Sequence, residues 1–178
     1  MDKREFRKIL KDKLSAFSPK EREVADVAIA SRLFASPLYQ EAGSLFLYIS
    51  MPEEADTHRI IARALSDGKA VYLPRVEGED MRLVRYEGGA FAVGAYGLSE
   101  PKGEASDPIV DLAVIPLLGF DRARGRLGRG KGFYDRFLAS YHGRSLALAY
   151  AFQEIPSVPT EPHDCRPEGI LTEKEWIE

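Results

Sequence analysis

A chain of 178 residues that is 44% hydrophobic and 30% charged has the make-up of one ordinary globular domain, large enough for a real core. Its net charge of -3 and pI near 5.7 exclude bulk electrostatic attraction to nucleic acid or to an anionic membrane, so any anion site has to be local. The lone cysteine, Cys165, excludes an intrachain disulfide and a cysteine-based zinc cluster and implies a reducing compartment. The opening Met1-Asp-Lys-Arg-Glu-Phe6 lacks a secretory signature, and no stretch reaches the roughly 18 apolar residues of a membrane span. The expectation is a soluble, cytoplasmic, single-domain protein over 1-178.

Phe6, Ile9, Leu10, Leu14 and Phe17 recur at helical spacing, which predicts an amphipathic helix from residue 2 to about 16. Lys3, Arg4, Arg7, Lys8 and Lys11 give it a basic face. Ser18-Pro19-Lys20-Glu21 supplies an N-cap, a proline at the first helical position and a capping-box glutamate, opening a second helix through about Ala35. Ser36-Pro37 ends it. Ser44 to Ser50 reads as a strand, Thr57 to Leu65 as a helix closed by Asp67-Gly68, and Ala70 to Val76 as the next strand. This β, α, β order implies a parallel crossover with helices packed on a sheet.

Met81 to Tyr86 alternates like an exposed strand, and Glu87 to Asp107 reads as loop with a turn at Gly97-Leu-Ser-Glu-Pro101. Ile109 to Phe120 is the most apolar stretch and predicts one buried strand. Phe133 to Tyr141 has helical spacing, with Phe133, Phe137 and Leu138 expected on one face. Ser145 to Ala151 is a small-residue strand expected near the sheet centre. Ile155 to Gly169 is a proline-broken loop carrying His163 and Asp164.

The chemistry concentrates in Arg126-Leu-Gly-Arg-Gly-Lys-Gly-Phe-Tyr-Asp135. Gly128, Gly130 and Gly132 let successive N–H groups turn toward one anion. Arg129 and Lys131 add charge there. A strand before the loop and a helix after it put the loop at a helix N-terminus, where free N–H groups and the helix dipole favour phosphate. Gly125, Gly130 and Lys131 approach the common nucleotide loop of Gly, four residues, Gly, Lys, Ser/Thr, but Gly132 lacks the hydroxyl that pattern uses for magnesium. The nearest candidate is Asp135, for which a metal role and a helix-cap role are both open. A solvated glycine-rich turn is the plain alternative for the whole loop.

Together with Lys3-Arg-Glu-Phe-Arg7, Tyr48-Ile-Ser-Met-Pro-Glu-Glu-Ala-Asp-Thr57, Gly97-Leu-Ser-Glu-Pro101 and His163-Asp164, this block resembles the 5-formyltetrahydrofolate cyclo-ligase family over nearly the whole chain. The resemblance implies a three-layer α/β/α fold with a mostly parallel sheet. It also implies an ATP-dependent carbon–nitrogen ligase that converts 5-formyltetrahydrofolate to 5,10-methenyltetrahydrofolate with release of ADP and phosphate, using Mg2+; a monomer is the expectation. Carried onto this sequence, it puts ATP contacts on Lys3, Arg4, Glu5, Phe6 and Arg7 and on Arg126, Leu127, Gly128, Arg129, Gly130, Lys131, Gly132, Phe133 and Tyr134. The folate falls on Ile49, Glu54 and the run Arg129 to Phe133, magnesium on Asp135 and Asp164, and catalysis on Lys131 and Arg129. The chain departs from the family pattern at Arg124, where a glycine is usual, and at Glu168, where an aspartate is. Two other classes compete: a sugar-phosphate or other phosphate-ester enzyme using the same loop without ATP, and a nucleic-acid-binding module built on Arg122 to Arg136 and the first helix, which predicts steep salt dependence.

Overall fold

A computed structural model describes residues 1–178. Helix α1 (Lys3–Ala16) is opened by a reciprocal capping box, with Asp2 accepting the Glu5 N–H and Glu5 accepting the Asp2 N–H. Helix α2 (Pro19–Ala35) starts at Ser18, whose hydroxyl accepts the Glu21 N–H. Ser36-Pro37 does more than end α2: the Ser36 hydroxyl caps a further short helix, α3 (Pro37–Glu41). There follow β1 (Ser44–Leu47), α4 (His58–Ser66), β2 (Ala70–Glu77), β3 (Asp80–Tyr86), β4 (Ala92–Val93), β5 (Ser99–Glu100), β6 (Ala105–Ser106) and β7 (Leu112–Ile115). The chain closes with β8 (Gly119–Phe120), β9 (Arg126–Leu127), α5 (Phe133–Ser140), β10 (Arg144–Leu148), β11 (Gly169–Leu171) and β12 (Trp176–Ile177). None of the helices is long and apolar enough to cross a membrane.

Eight strands form one sheet in the order β12-β11-β10-β7-β1-β2-β3-β6. The five in the middle, β11 to β2, run parallel, and the antiparallel β12, β3 and β6 extend the two sides. Alternation along each strand divides the side chains between two faces. Leu45, Leu47, Val71, Leu112, Val114, Leu146 and Leu148 join residues of α1 to α4 in a cluster of 27 buried side chains. Phe46, Ala113, Ile115, Ala147 and Ile170 face the other way, into a cluster of 12 that includes Leu138 of α5. The fold is therefore a mostly parallel α/β/α sandwich, thick on one side and thin on the other.

The crossovers locate the site. From β1 the chain passes through α4 on the thick face to β2; from β7 it passes through α5 on the thin face to β10. The neighbours β1 and β7 thus send their connections to opposite faces and in opposite directions, which opens a crevice at their carboxyl ends.

Three further expectations from the sequence are corrected. The apolar run 109–120 is two strands rather than one: β7 stops at Ile115 because Pro116 has no N–H to donate, and Leu118 then enters the β8–β9 hairpin. Met81 to Tyr86 is not an exposed strand, since β3 is paired on both sides and buries Leu83 and Val84. Phe133 does not share a core face with Phe137 and Leu138; it turns to the crevice, its ring 6.3 Å from Tyr96. At Arg124 the backbone is left-handed, with φ of 64°.

Candidate functional site

The crevice opens into a cleft of about 1130 Å³. Two walls face each other across it. The first is the glycine-rich loop between β9 and α5. Gly130 has φ of 104° and Gly132 of 75°, conformations that a Cβ would strain, and Gly132 is the N-cap of α5. Arg7 of α1 holds the loop from outside, its Nε donating to the Gly128 carbonyl at 2.9 Å while its guanidinium lies against Gly130. Lys131 is exposed and rests its Nζ 4.7 Å from the centre of the Tyr96 ring.

Beneath the loop lies Arg126, its side chain only 4% exposed. Nε donates to the Pro116 carbonyl at 2.7 Å, and the guanidinium sits over the Tyr134 ring and 3.9 Å from Asp135. Burial lowers the Arg126 pKa, and Asp135 works against that shift. Burial likewise pushes the Tyr134 phenol upward. A buried cation thus sits beneath a loop that carries the exposed Lys131.

The second wall is residues 48–54, which follow β1. Glu54 is 8% exposed at its side chain and accepts the Met51 N–H at 2.9 Å, closing a tight turn. Burial raises its pKa, against the hydrogen bond from Met51 and the charge of Arg129. Arg129 reaches over from the first wall, 3.7 Å from Glu54 and 3.4 Å from Glu53. Ile49 lines the same wall.

Asp135 and Asp164 come from distant parts of the chain to the same end of the cleft. The Cys165 N–H donates to Asp135 at 3.2 Å, so the two carboxylates lie on linked backbone. Lys3 donates to Asp164 at 2.7 Å and stands 3.5 Å from Glu161. Burial opposes ionisation of Asp164, but the Lys3 ammonium and the Glu161 N–H outweigh it and hold the carboxyl below its usual range. No group of three or more potential protein ligands forms a metal cage. Two hard carboxylate oxygens beside the glycine-rich loop nevertheless suit Mg2+, which takes one or two carboxylates and leaves its other positions to water and phosphate.

Of the residues singled out in the sequence, Lys3, Arg4, Arg7, Ile49, Glu54, Arg126 to Asp135 and Asp164 all line this cleft. Glu5 and Phe6 lie outside that lining: Glu5 completes the α1 capping box, and Phe6 packs against the larger core. Several lining residues carried no sequence signal of their own, among them Glu53, Tyr96 and Pro116. The turn at residues 97–101 did give a signal, and its Glu100 explains why. Glu100 is buried and accepts the Val76 N–H at 2.6 Å, tying the β4–β5 hairpin to β2 beside the cleft. His163 is a loop residue near Glu161 and Asp164, and Trp176 packs against the core.

The profile of the 5-formyltetrahydrofolate cyclo-ligase family matches residues 1–173. The 5-formyltetrahydrofolate cyclo-ligase of Mus musculus is 30% identical over 189 residues, covering 96% of this chain and 93% of that one. The Escherichia coli K12 5-formyltetrahydrofolate cyclo-ligase is 27% identical over 180 residues, covering 94% and 99%. In three dimensions, the solution structure of 5,10-methenyltetrahydrofolate synthetase from Aquifex aeolicus matches with a TM-score of 0.89 at 33% identity, over 99% of this chain and 92% of that one.

Proposed function

The chain belongs to the 5-formyltetrahydrofolate cyclo-ligase family, and from that premise we propose that it closes the ring of 5-formyltetrahydrofolate at the expense of ATP and Mg2+. The observation that carries this reading is Arg129, which belongs to the phosphate-type loop yet lies within 3.4 to 3.7 Å of Glu53 and Glu54 on the opposite wall. A cleft with an anion-binding side and a buried carboxylate side has room for a nucleotide phosphate and a heterocycle with N–H donors next to each other.

The N-formyl oxygen is a poor leaving group until it carries phosphate. In the proposed reaction it attacks the γ-phosphorus, the bond to the β,γ-bridging oxygen breaks, and ADP leaves. The N10 lone pair then attacks the formyl carbon, N10 gives up its proton, and phosphate departs with the carbon–oxygen electron pair. No protein nucleophile is needed, and catalysis is a matter of position and charge. Lys131, exposed and free of ion pairs shorter than 4 Å, supplies the charge for the transferring phosphoryl group. Arg129 and the loop N–H groups hold the flanking phosphates, and Arg7 holds the loop. Lys3 and Arg4 at the start of α1 line the phosphate side.

Glu54 is the candidate for orienting the pterin edge, because a carboxylate accepts two parallel N–H bonds. Its burial makes such donors more valuable than they would be in water. Asp135 and Asp164 would hold the magnesium ion, which when bound neutralises charge on the phosphates. Before it binds, Lys3 provides the counter-charge to Asp164.

The test is the near-ultraviolet absorbance of the methenyl product, followed with purified protein and 5-formyltetrahydrofolate. Product is expected with Mg-ATP and not without it. Folded protein that binds ATP but forms no product would sink the folate reading and leave a phosphate-ester substrate for the same loop.

A further inference from the structure

We propose that Arg124 is a positioning residue for the loop that carries Asp164, and that its side-chain hydrogen bonds offset an unfavourable backbone. The inference rests on the reading of Asp164 as a magnesium-holding carboxylate. The φ of 64° at Arg124 is a conformation that residues with a Cβ seldom enter. The turn around it is tightly specified. Asp121, 6% exposed, accepts the N–H groups of Ala123 and Gly125 at 3.0 and 2.8 Å. Its own backbone receives the Arg124 N–H at 3.0 Å and donates to the Gly125 carbonyl at 3.2 Å.

This turn grips the long connection between β10 and β11 on both sides of Asp164. Before Asp164, the Ile155 N–H donates to the Phe120 carbonyl at 2.8 Å, and the Val158 N–H donates to the second Asp121 carboxylate oxygen, also at 2.8 Å. Close to the end, the Arg124 Nη1 donates to the carbonyls of Pro167 and Glu168, at 3.1 and 3.0 Å. Between these anchors lie Glu161, His163 and Asp164, all on the cleft. A glycine at 124 would adopt the same backbone without strain, but it would leave the second anchor empty. What arginine adds at this position is the guanidinium latch.

Two substitutions separate latch from strain. Arg124→Gly removes the donor and relieves the backbone; Arg124→Ala removes the donor and keeps the strain. Thermal unfolding, amide hydrogen exchange of residues 161–168, and the Mg2+ concentration giving half of the thermal shift with a non-hydrolysable ATP analogue are compared with the unsubstituted chain. Arg124→Gly should melt above Arg124→Ala. Both should exchange about tenfold faster in residues 161–168, the scale expected for losing hydrogen bonds from a charged donor, and both should need more Mg2+. Unchanged exchange in both variants, or a loop defect confined to the less stable Arg124→Ala, overturns the proposal. Faster exchange with an unchanged Mg2+ response also overturns it, and Asp164→Asn in the same titration shows which premise failed. If Asp164→Asn weakens the response, Arg124 alone was misjudged; if it does not, the metal reading of Asp164 falls as well.

Discussion

The two walls of the cleft are built in opposite ways. On the Glu54 side nearly everything is braced from behind. Arg22 donates to the Glu53 carbonyl at 2.7 Å, the Tyr150 hydroxyl lies 2.7 Å from Asp26 and 3.2 Å from the Glu54 carbonyl, and Ser50 and Thr57 exchange hydrogen bonds at 3.0 Å. Burial raises the pKa of Asp26 and of Tyr150, so this brace sits in a medium where its hydrogen bonds are strong. On the loop side, Gly130 and Lys131 are exposed, and the contacts that restrain the loop come from side chains such as Arg7 rather than from a buried network. Under the proposed function, the braced wall would hold the ring and the exposed loop would contact the phosphoryl group.

If that division is right, changes on the two walls should fail differently. The largest effect is expected for Lys131→Ala: a fall in turnover of about a thousandfold, the scale for losing one preorganised charge in a transition state. Its melting temperature should stay within a degree or so of the parent chain, because Lys131 touches little except the Tyr96 ring. A Lys131→Ala protein with normal turnover would break the comparison at once.

Glu54→Gln should instead raise KM for the folate by about ten- to a hundredfold, as expected when a charged hydrogen-bond acceptor becomes neutral. Its stability should move the other way. Burial raises the Glu54 pKa, so the carboxyl favours folding below its ordinary titration range, and that contribution is lost as pH rises through the raised folded value. Thermal melts of Glu54→Gln should therefore match the parent in acid and exceed it at neutral pH. A neutral-pH loss of stability would mean that the Glu54 charge is stabilised by Arg129 more than burial penalises it.

Asp135→Asn sharpens the comparison at the end where the walls meet. It should raise the Mg2+ needed for half-maximal activity about tenfold, with KM for the folate little changed. The smallest effect is reserved for Lys3→Met. Asp164 is held below its usual range, with Lys3 its largest favourable partner, so the pair adds stability above a pH of about 4 and loses it as acid protonates the carboxylate. The variant should be less stable at neutral pH by at most about 1 kcal/mol, and this difference should vanish in urea titrations near pH 2.

The loop wall was legible residue by residue. Glycine spacing, the alternation with Arg129 and Lys131, and the helix that follows are local features, and each has a local physical reading. The capping logic was legible too, although at Ser18 only half of the expected box formed, and Ser36 opened a helix where the sequence suggested only a stop. Glu54 was visible through resemblance and through its place beyond the carboxyl end of a strand, where open α/β sheets bind ligands, although a glutamate in such a connection is ordinarily solvated. Only the periodicity reading of Phe133 failed: helical spacing put it on a core face, whereas the resemblance put it at the cleft that it lines.

From the sequence alone came most of the elements and the parallel crossover, which depend on backbone preference and periodicity over a few residues, and, through matched motifs, the family. The tertiary structure decided which charges are buried and which carboxylates meet. Arg7 reaches Gly128 across 121 positions, Tyr150 reaches Glu54 across 96, and Arg124 reaches Glu168 across 44. Burial and electrostatic environment are sums over neighbours in space, and those neighbours are set by the order of strands in the sheet rather than by their order in the chain.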